Sequence, residues 1–307
     1  MTETVAALDC GSNSTRLLIV NDRGETLQRV TRITRLSQGV DSSGTLVPEA
    51  VARSLDTLSE YRTLMDEAGV TRGLLVATSA VRDASNGAAF LDEARARTKV
   101  DAKILSGHEE AAFSYAGATT GLVEVSSPTM IVDVGGGSTE LAVMLNGELA
   151  SYSMQLGCVR VTERALGRGI VSEASATAAT AMITSELDGA WSAVPAFAEL
   201  AGDVRLVGLA GSVSTLAQLD AGLGEYDRNS VHHRVIARST VAQWRDRLSS
   251  EPPESRLARP GMMRGREDVL PAGLFVLLAV MQRLEVEELL TSENDILDGI
   301  TASLLAR

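Results

Sequence analysis

Two short segments carry an acid, glycines and hydroxyls in one order. Residues 8–17 read LDCGSNSTRL and residues 132–141 read VDVGGGSTEL. Asp9 stands against Asp133, Gly11 against Gly135, Ser14 against Ser138 and Thr15 against Thr139. Glycine lets a turn take positive φ and lets an anion approach the backbone amides closely. The Ser and Thr hydroxyls beside those amides suit phosphate oxygens. A carboxylate at the mouth of such a turn repels phosphate unless a metal ion lies between them. Two such loops therefore point to a phosphate clamp with a metal site. Gly135, Gly136 and Gly137 can turn several N–H groups onto one anion, and Asp133 suits a magnesium ion through an oxygen contact. Glu140 is either a second metal contact or the partner of a neighbour on the sheet. In the first copy Asn13 replaces Gly137 and Arg16 replaces Glu140. That puts a cation where the second copy has an acid, as expected if the first loop grips substrate and the second holds metal.

Three other places carry candidate chemistry. Gly107-His108-Glu109-Glu110 opens a predicted helix. Its two carboxylates either compensate the positive end of the helix or orient a water for attack. In TSAVRDASN, residues 78–86, a buried strand opens into a polar loop from which Arg82 can reach a phosphate. In GLAGSVSTL, residues 208–216, Gly211 and Ser212 stand at a helix N-terminus, which favours anions and makes a third candidate phosphate loop. His232 and His233 read as ordinary loop or strand residues. Cys10 and Cys158 lack metal-ligand spacing and read as small buried side chains.

The elements that must position these residues alternate between strands and helices. VAALD, TRLLIVN and a long run across ETLQRVTRITRL predict three strands, followed by a loop at residues 41–44. Pro48 opens a helix with apolar positions at Val51, Leu55, Leu58 and Met65. GLLVATSA is a buried strand, residues 86–98 a helix, AKILS a short strand and residues 108–118 a helix. TMIVDV, TELAVML and ELASYSMQ then repeat the three-strand opening, with Asn146-Gly147 as a hairpin turn. Helices over 157–166, 172–190 and 213–223, the strand RLVGLAG, a mostly helical stretch, the strand ELLTS and a last helix complete the chain. The pattern predicts an α/β protein of two related domains, residues 1–124 and 125–307, whose final helix can pack back on the first domain.

Composition narrows the function. The 307 residues are enough for two ordinary domains, and 45% hydrophobic with 22% charged residues suits a globular protein. The net charge of −12 argues against a nucleic-acid partner, which wants a basic face. It leaves room for a phosphate substrate at a local positive site. Lys99 and Lys103 are the only lysines among 28 basic residues, so particular arginines near the loops are the natural phosphate grips. No apolar run reaches transmembrane length and no signal peptide is visible, so no membrane partner and a cytoplasmic location are expected.

Taken together, LDCGSNSTRL, TSAVRDASN, ILSGHEEA, VDVGGGSTEL, GLAGSVSTLA and GREDVLPAG resemble the exopolyphosphatase and guanosine pentaphosphate phosphohydrolase family. They occur in that family's order across residues 8–273. The resemblance implies two ribonuclease-H-like α/β domains of the actin-like ATPase superfamily with an interdomain active-site cleft. It implies that Glu110 is the catalytic base, that Asp133 binds Mg2+ with Glu140 as a further candidate, and that Gly135, Gly136, Gly137 and Ser138 form one phosphate loop. It further implies that Asn13, Ser14 and Arg16 belong to the opposing loop and that Arg82 and Arg266 grip phosphate. The implied substrate is inorganic polyphosphate, with guanosine pentaphosphate as the alternative and phosphotransfer as a remoter one. A homodimer is usual in the family. The chain departs from the family's pattern in three ways. His108 stands where members often carry Asn or Glu. SENDILDGI has Asp295 and Leu297 where the family has Gly and Arg. The additional helical domains of longer members are missing, which implies a preference for short polyphosphate chains.

Overall fold

The computed structural model describes residues 3–306. The chain divides into two units, one running to Gly117 and resuming at Asp295, the other spanning Ala118–Asn294. The sequence expectation of a boundary at 124/125 therefore shifts to 117/118, and the last helix belongs with the first unit.

The first unit contains β1 (Thr4–Cys10), β2 (Ser14–Asn21), β3 (Thr26–Ile33), α1 (Val40–Ser43), α2 (Pro48–Glu67), β4 (Arg72–Ala77), α3 (Ser79–Asp83), α4 (Gly87–Thr98), β5 (Asp101–Ile104) and all but the last two residues of α5 (Gly107–Thr119). Its sheet order is β3-β2-β1-β4-β5. The first three strands form an antiparallel meander, and β4 and β5 join parallel to β1. β1 is buried along its whole length, because helices cover both faces of the sheet. Alternate residues go to opposite sides: Ala6, Leu8 and Cys10 face the core beneath α2 and α4. Val5 and Ala7 pack with Ile296, Ile300 and Leu304 near the C-terminus. Residues 41–43, expected as loop, lie in the one-turn α1, and the polar segment after β4 winds into α3.

The second unit contains β6 (Thr129–Val134), β7 (Thr139–Leu145), β8 (Glu148–Met154), α6 (Cys158–Val161), a π-helical turn over Thr162–Leu166, α7 (Glu173–Ala193), a 3₁₀ turn over Pro195–Leu200, β9 (Arg205–Leu209) and α8 (Ala210–Asp220). It continues through α9 (Arg228–Val231), β10 (Val235–Ala237), α10 (Arg238–Ser249), α11 (Pro253–Leu257), α12 (Leu270–Arg283) and β11 (Glu288–Thr291). The sheet order is β10-β11-β9-β6-β7-β8. Read from β8, the meander and its two parallel additions repeat the first unit, with β10 added antiparallel at the edge. Both sheets thus carry the ribonuclease-H-like order, which accounts for the internal sequence repeat.

The final helix, α13 (Ile296–Leu305), covers the free face of the first sheet. It crosses α5 backbone to backbone. A Cβ at Gly117 would lie 1.9 Å from the Asp295 carbonyl oxygen, and one at Gly299 would lie 2.1 Å from that of Phe113. Among the described residues no helix is long and apolar enough to cross a membrane.

Candidate active site

The first loop joins β1 to β2. Gly11 N–H donates to the Ser14 carbonyl at 3.0 Å, which closes the turn. The Ser12 carbonyl accepts from Ser37 N–H at 2.9 Å, and the Asn13 carbonyl accepts from Thr34 at 3.1 Å and Arg35 at 3.0 Å. The segment after β3 thus holds the loop by its carbonyls. Among the described residues, the amides of Ser12 and Asn13 find no acceptor. Asn13 is 6% exposed, and both ends of its side-chain amide lack a partner. Buried polar groups are normally paired, so the Asn13 amide is an exception among the buried side chains.

The second loop, between β6 and β7, follows the same plan. Cys158 N–H donates to the Gly135 carbonyl at 2.9 Å, and Val159 N–H to that of Gly136 at 2.9 Å. Arg160 Nε donates to the Gly137 carbonyl at 2.8 Å. The start of α6 therefore holds these carbonyls, and among the described residues the amides of Gly136, Gly137 and Ser138 find no acceptor. The repeated threonines serve the fold rather than a ligand. Thr15 shares a 2.9 Å hydroxyl bond with Thr34, and Thr139 donates to the Leu156 carbonyl. Each ties its loop to the segment after the third strand, which corrects the expectation that these hydroxyls face phosphate.

The acids of the two loops differ in their cross-strand partners. Asp9 is opposite Arg16, and Asp133 is opposite Glu140. Arg16 donates through Nε at 2.9 Å and Nη2 at 2.6 Å to Asp9 Oδ2, and through Nη1 to Asp295 Oδ2 at 2.5 Å. Arg16, expected to grip phosphate, is thus engaged by two carboxylates. Burial pushes the Asp9 carboxyl above its ordinary range, and Arg16 works against that rise. Its Oδ1 remains buried without a partner. On the other side, Glu140 is 1% exposed and accepts from Ser153 Oγ at 2.7 Å, while Asp133 is 8% exposed. Opposed residues on antiparallel strands present their side chains to one face. Asp133 and Glu140 therefore form a pair of buried oxygen donors of the kind that suits magnesium.

At the start of α5 the two glutamates take different parts. Glu109 accepts from Ser106 N–H at 2.9 Å and Ser106 Oγ at 3.0 Å, and its own N–H donates to Ser106 Oγ at 3.2 Å. That is a reciprocal capping box. Lys103 adds a 3.1 Å ion pair. The Ser106 amide, with help from Lys103 and the Ser106 hydroxyl, holds the Glu109 carboxyl below the usual range. Glu110, one residue on, is 8% exposed and lies 3.2 Å from Arg82 Nη1, which also donates to the Leu105 carbonyl at 2.9 Å. The structure thus brings Arg82 and Glu110 together. In the second unit it brings Arg266 against Gly211, while Ser212 packs beneath Gly273.

A model of the Ppx/GppA phosphatase family matches residues 18–307. The chain belongs to this family. Similar Ppx/GppA-type proteins cover nearly all of it. "Exopolyphosphatase 2" of Mycobacterium tuberculosis is 37% identical over 316 residues, covering 98% of each chain. The crystal structure of an exopolyphosphatase-like protein superposes with a TM-score of 0.92 at 30% identity over 99% of both chains. The Ppx/GppA member of Aquifex aeolicus superposes with a TM-score of 0.81 at 26% identity, covering 100% of this chain and 98% of that one.

The segments that carry the loops are not marked by side chains in the sequence. Thr34, Arg35 and Ser37 in one unit and Cys158 and Val159 in the other do this with backbone amides, which leave little trace in side-chain types. A faint signal exists: LSQG (36–39) after the third strand of one unit and MQLG (154–157), starting at the last residue of the third strand of the other, each contain a glutamine and end in glycine. In the sequence Asp295 stands out only as a departure from the family pattern. In the structure it caps α13 through the Leu297 amide at 2.9 Å while binding Arg16.

Proposed function

We propose that this Ppx/GppA-family protein is an exopolyphosphatase that releases terminal phosphate from inorganic polyphosphate. Water attacks the terminal phosphorus in line with the bridging oxygen. Glu110 orients that water and takes its proton. The P–O bond to the bridging oxygen breaks, and the chain leaves one phosphate shorter. Free amides of Ser12, Asn13, Gly136, Gly137 and Ser138 meet the phosphate oxygens, and Asn13, Ser14, Arg82 and Arg266 add side-chain donors. Asp133 and Glu140 are the residues that would hold magnesium, which when bound supplies positive charge against those oxygens.

The observation that carries this reading is the division between Glu109 and Glu110. One carboxylate is fixed as a helix cap, and its neighbour is buried beside an arginine instead. The 37% identity to a protein named exopolyphosphatase supports the substrate class. The reading includes a preference for short chains, a cytoplasmic location and a homodimer, the homodimer supported by family resemblance alone.

Phosphate release from polyphosphates of defined length and from guanosine pentaphosphate, with and without magnesium, tests the proposal. Release from polyphosphate that depends on magnesium is expected. Release from the guanosine substrate alone overturns the substrate assignment. Rates that climb steadily with chain length contradict the short-chain preference. Glu110→Gln is expected to lower turnover by ~10²–10⁴-fold, the range of general base catalysis. Near-wild-type turnover in that variant removes Glu110 from the role.

A further inference from the structure

The parallel register of β1 and β4 sets Cys10 beside Ala77. Two residues beyond each, where the strands have ended, Ser12 and Ser79 meet through their hydroxyls at 3.0 Å. Ser12 lies in the first loop, and Ser79 opens α3. Both are buried, and among the described residues neither hydroxyl has another partner. Each therefore depends on the other. α3 leads from this contact to the candidate base. Arg82, one turn after Ser79, donates to the Leu105 carbonyl at 2.9 Å and lies 3.2 Å from Glu110 Oε2.

The other end of α3 is held as well. A Cβ on Gly87 would fall 2.0 Å from the Val81 carbonyl oxygen. Asn86 pairs with both backbone groups of Leu46, accepting at 2.8 Å and donating at 2.9 Å. A five-residue helix packed this closely moves as one piece. The Ser12–Ser79 bond thus ties the first loop to Arg82 and Glu110, all within the first unit. The second unit supplies the contrast. Its register sets Asp133 beside Leu209 as Asp9 stands beside Val76, so Ser212 occupies the place of Ser79. The place of Ser12 falls to Gly136, which has no hydroxyl. Ser212 bonds the Cys158 side chain instead. The repeat keeps the serine at the helix, yet the bridge forms only in the unit that holds Glu110.

We propose that Ser79 is a positioning residue, whose hydroxyl bond to Ser12 fixes the first loop against the Arg82–Glu110 pair and so aligns the attacking water with the terminal phosphorus. This rests on the reading that Glu110 is the base and that the loop amides meet phosphate. Steady-state kinetics and thermal unfolding of wild type, Ser79→Ala, Ser12→Ala and the double variant test it, on polyphosphate of one defined length with magnesium. Each single variant leaves one buried hydroxyl unpaired and is expected to lower Tm by about 2–4 °C. The double variant removes both hydroxyls and should recover most of that shift. In each single variant kcat is expected to fall about 10–100-fold with KM within about 3-fold of wild type, because a small misplacement acts on the chemical step. The double variant should keep that kcat loss without multiplying it. In a Glu110→Gln background, Ser79→Ala should lower kcat by no more than about 2-fold, since the base it positions is gone. A kcat that recovers with Tm in the double variant means a bond for folding alone and overturns the proposal. Wild-type kcat in the single variants, losses that multiply, or a loss carried by KM also overturn it. If a single variant does not fold, kcat of the double variant decides: a 10–100-fold loss, about that of general positioning, supports the bridge, and a wild-type value refutes it. Near-wild-type turnover in Glu110→Gln alone overturns the reading of the base, and the proposal with it.

Discussion

The two loops share a strand register and a way of being held, yet they settle their acids differently. In the first, the residue opposite Asp9 is Arg16, and the pair closes as an ion pair at 2.6 Å. Its surroundings extend the pattern. Asp295 lies on the other edge of Arg16, and Arg29 reaches Asp298 at 2.6 Å and Asp295 at 3.7 Å. The acids here are met by arginines of the same unit. In the second loop the residue opposite Asp133 is another acid, Glu140. One backbone plan thus supports two electrostatic solutions, and a single cross-strand position chooses between them. In the first loop, among the described residues, the Ser12 and Asn13 amides and the Asn13 side chain stay without partners. The second adds a pair of oxygen donors suited to a cation.

Writing the first loop's solution into the second breaks the comparison most severely. Glu140→Arg places an arginine opposite Asp133, as Arg16 stands opposite Asp9. If the acid pair holds magnesium, turnover should fall by about 10³-fold, the scale of several kcal/mol of metal-supplied charge stabilisation. Added magnesium should no longer raise the residual rate. Glu140→Gln, which keeps the shape of a fully buried side chain, provides the check that folding is intact. A magnesium-activated Glu140→Arg enzyme would show that the second loop is not the metal side.

The repeat behind this experiment was legible in the sequence, which puts Arg16 where the second copy has Glu140. The register that sets each of them opposite its loop's acid came with the structure. The three-strand openings and the long helices α2 and α7 follow from local rules. What escaped was long-range or carried by backbone. Arg16 and Asp295 are 279 residues apart, and no periodicity relates them. The bond places Arg16, an expected phosphate grip, within an internal ion-pair network. Gly211 stands where the sequence expects an anion-binding glycine, and its neighbour Arg266 comes from a later segment. The difference between Glu109 and Glu110 was equally hidden. It depends on which glutamate occupies the third helical position after Ser106, a matter of one residue.

Removing the arginine from the first loop is the next largest effect, and it should appear in stability. Arg16→Met leaves Asp9 and Asp295 buried without their shared cation. Breaking a buried pair in this way costs about 3–5 kcal/mol, to be read from urea unfolding. The sign with pH follows from Asp9. Burial already raises its folded-state pKa above the unfolded value of about 3.9, and losing Arg16 raises it further. The folded variant then binds a proton that the unfolded chain has released. Its stability therefore falls as pH rises through that window. The deficit relative to wild type should be largest near neutral pH and shrink toward the unfolded carboxyl value. A pH-independent deficit would point to lost packing rather than orphaned charge.

The smallest effect tests whether hydrolysis depends on a residue in neither loop. Glu109→Ala removes one half of the capping box at the start of α5 and leaves Glu110 and Arg82 in place. Loss of a cap costs about 1 kcal/mol, and the Lys103 pair, half exposed, adds little to that. Because the Ser106 amide and Lys103 hold the Glu109 carboxyl below its ordinary range, the wild-type advantage is present above the unfolded carboxyl pKa. It fades as pH falls through the folded value. Turnover on polyphosphate should stay within a few-fold of wild type, on the order of what a small shift at a helix end produces. A loss as large as that of Glu110→Gln would mean that the cap itself sets the position of the base. The two adjacent glutamates would then act as one unit instead of dividing structure from chemistry.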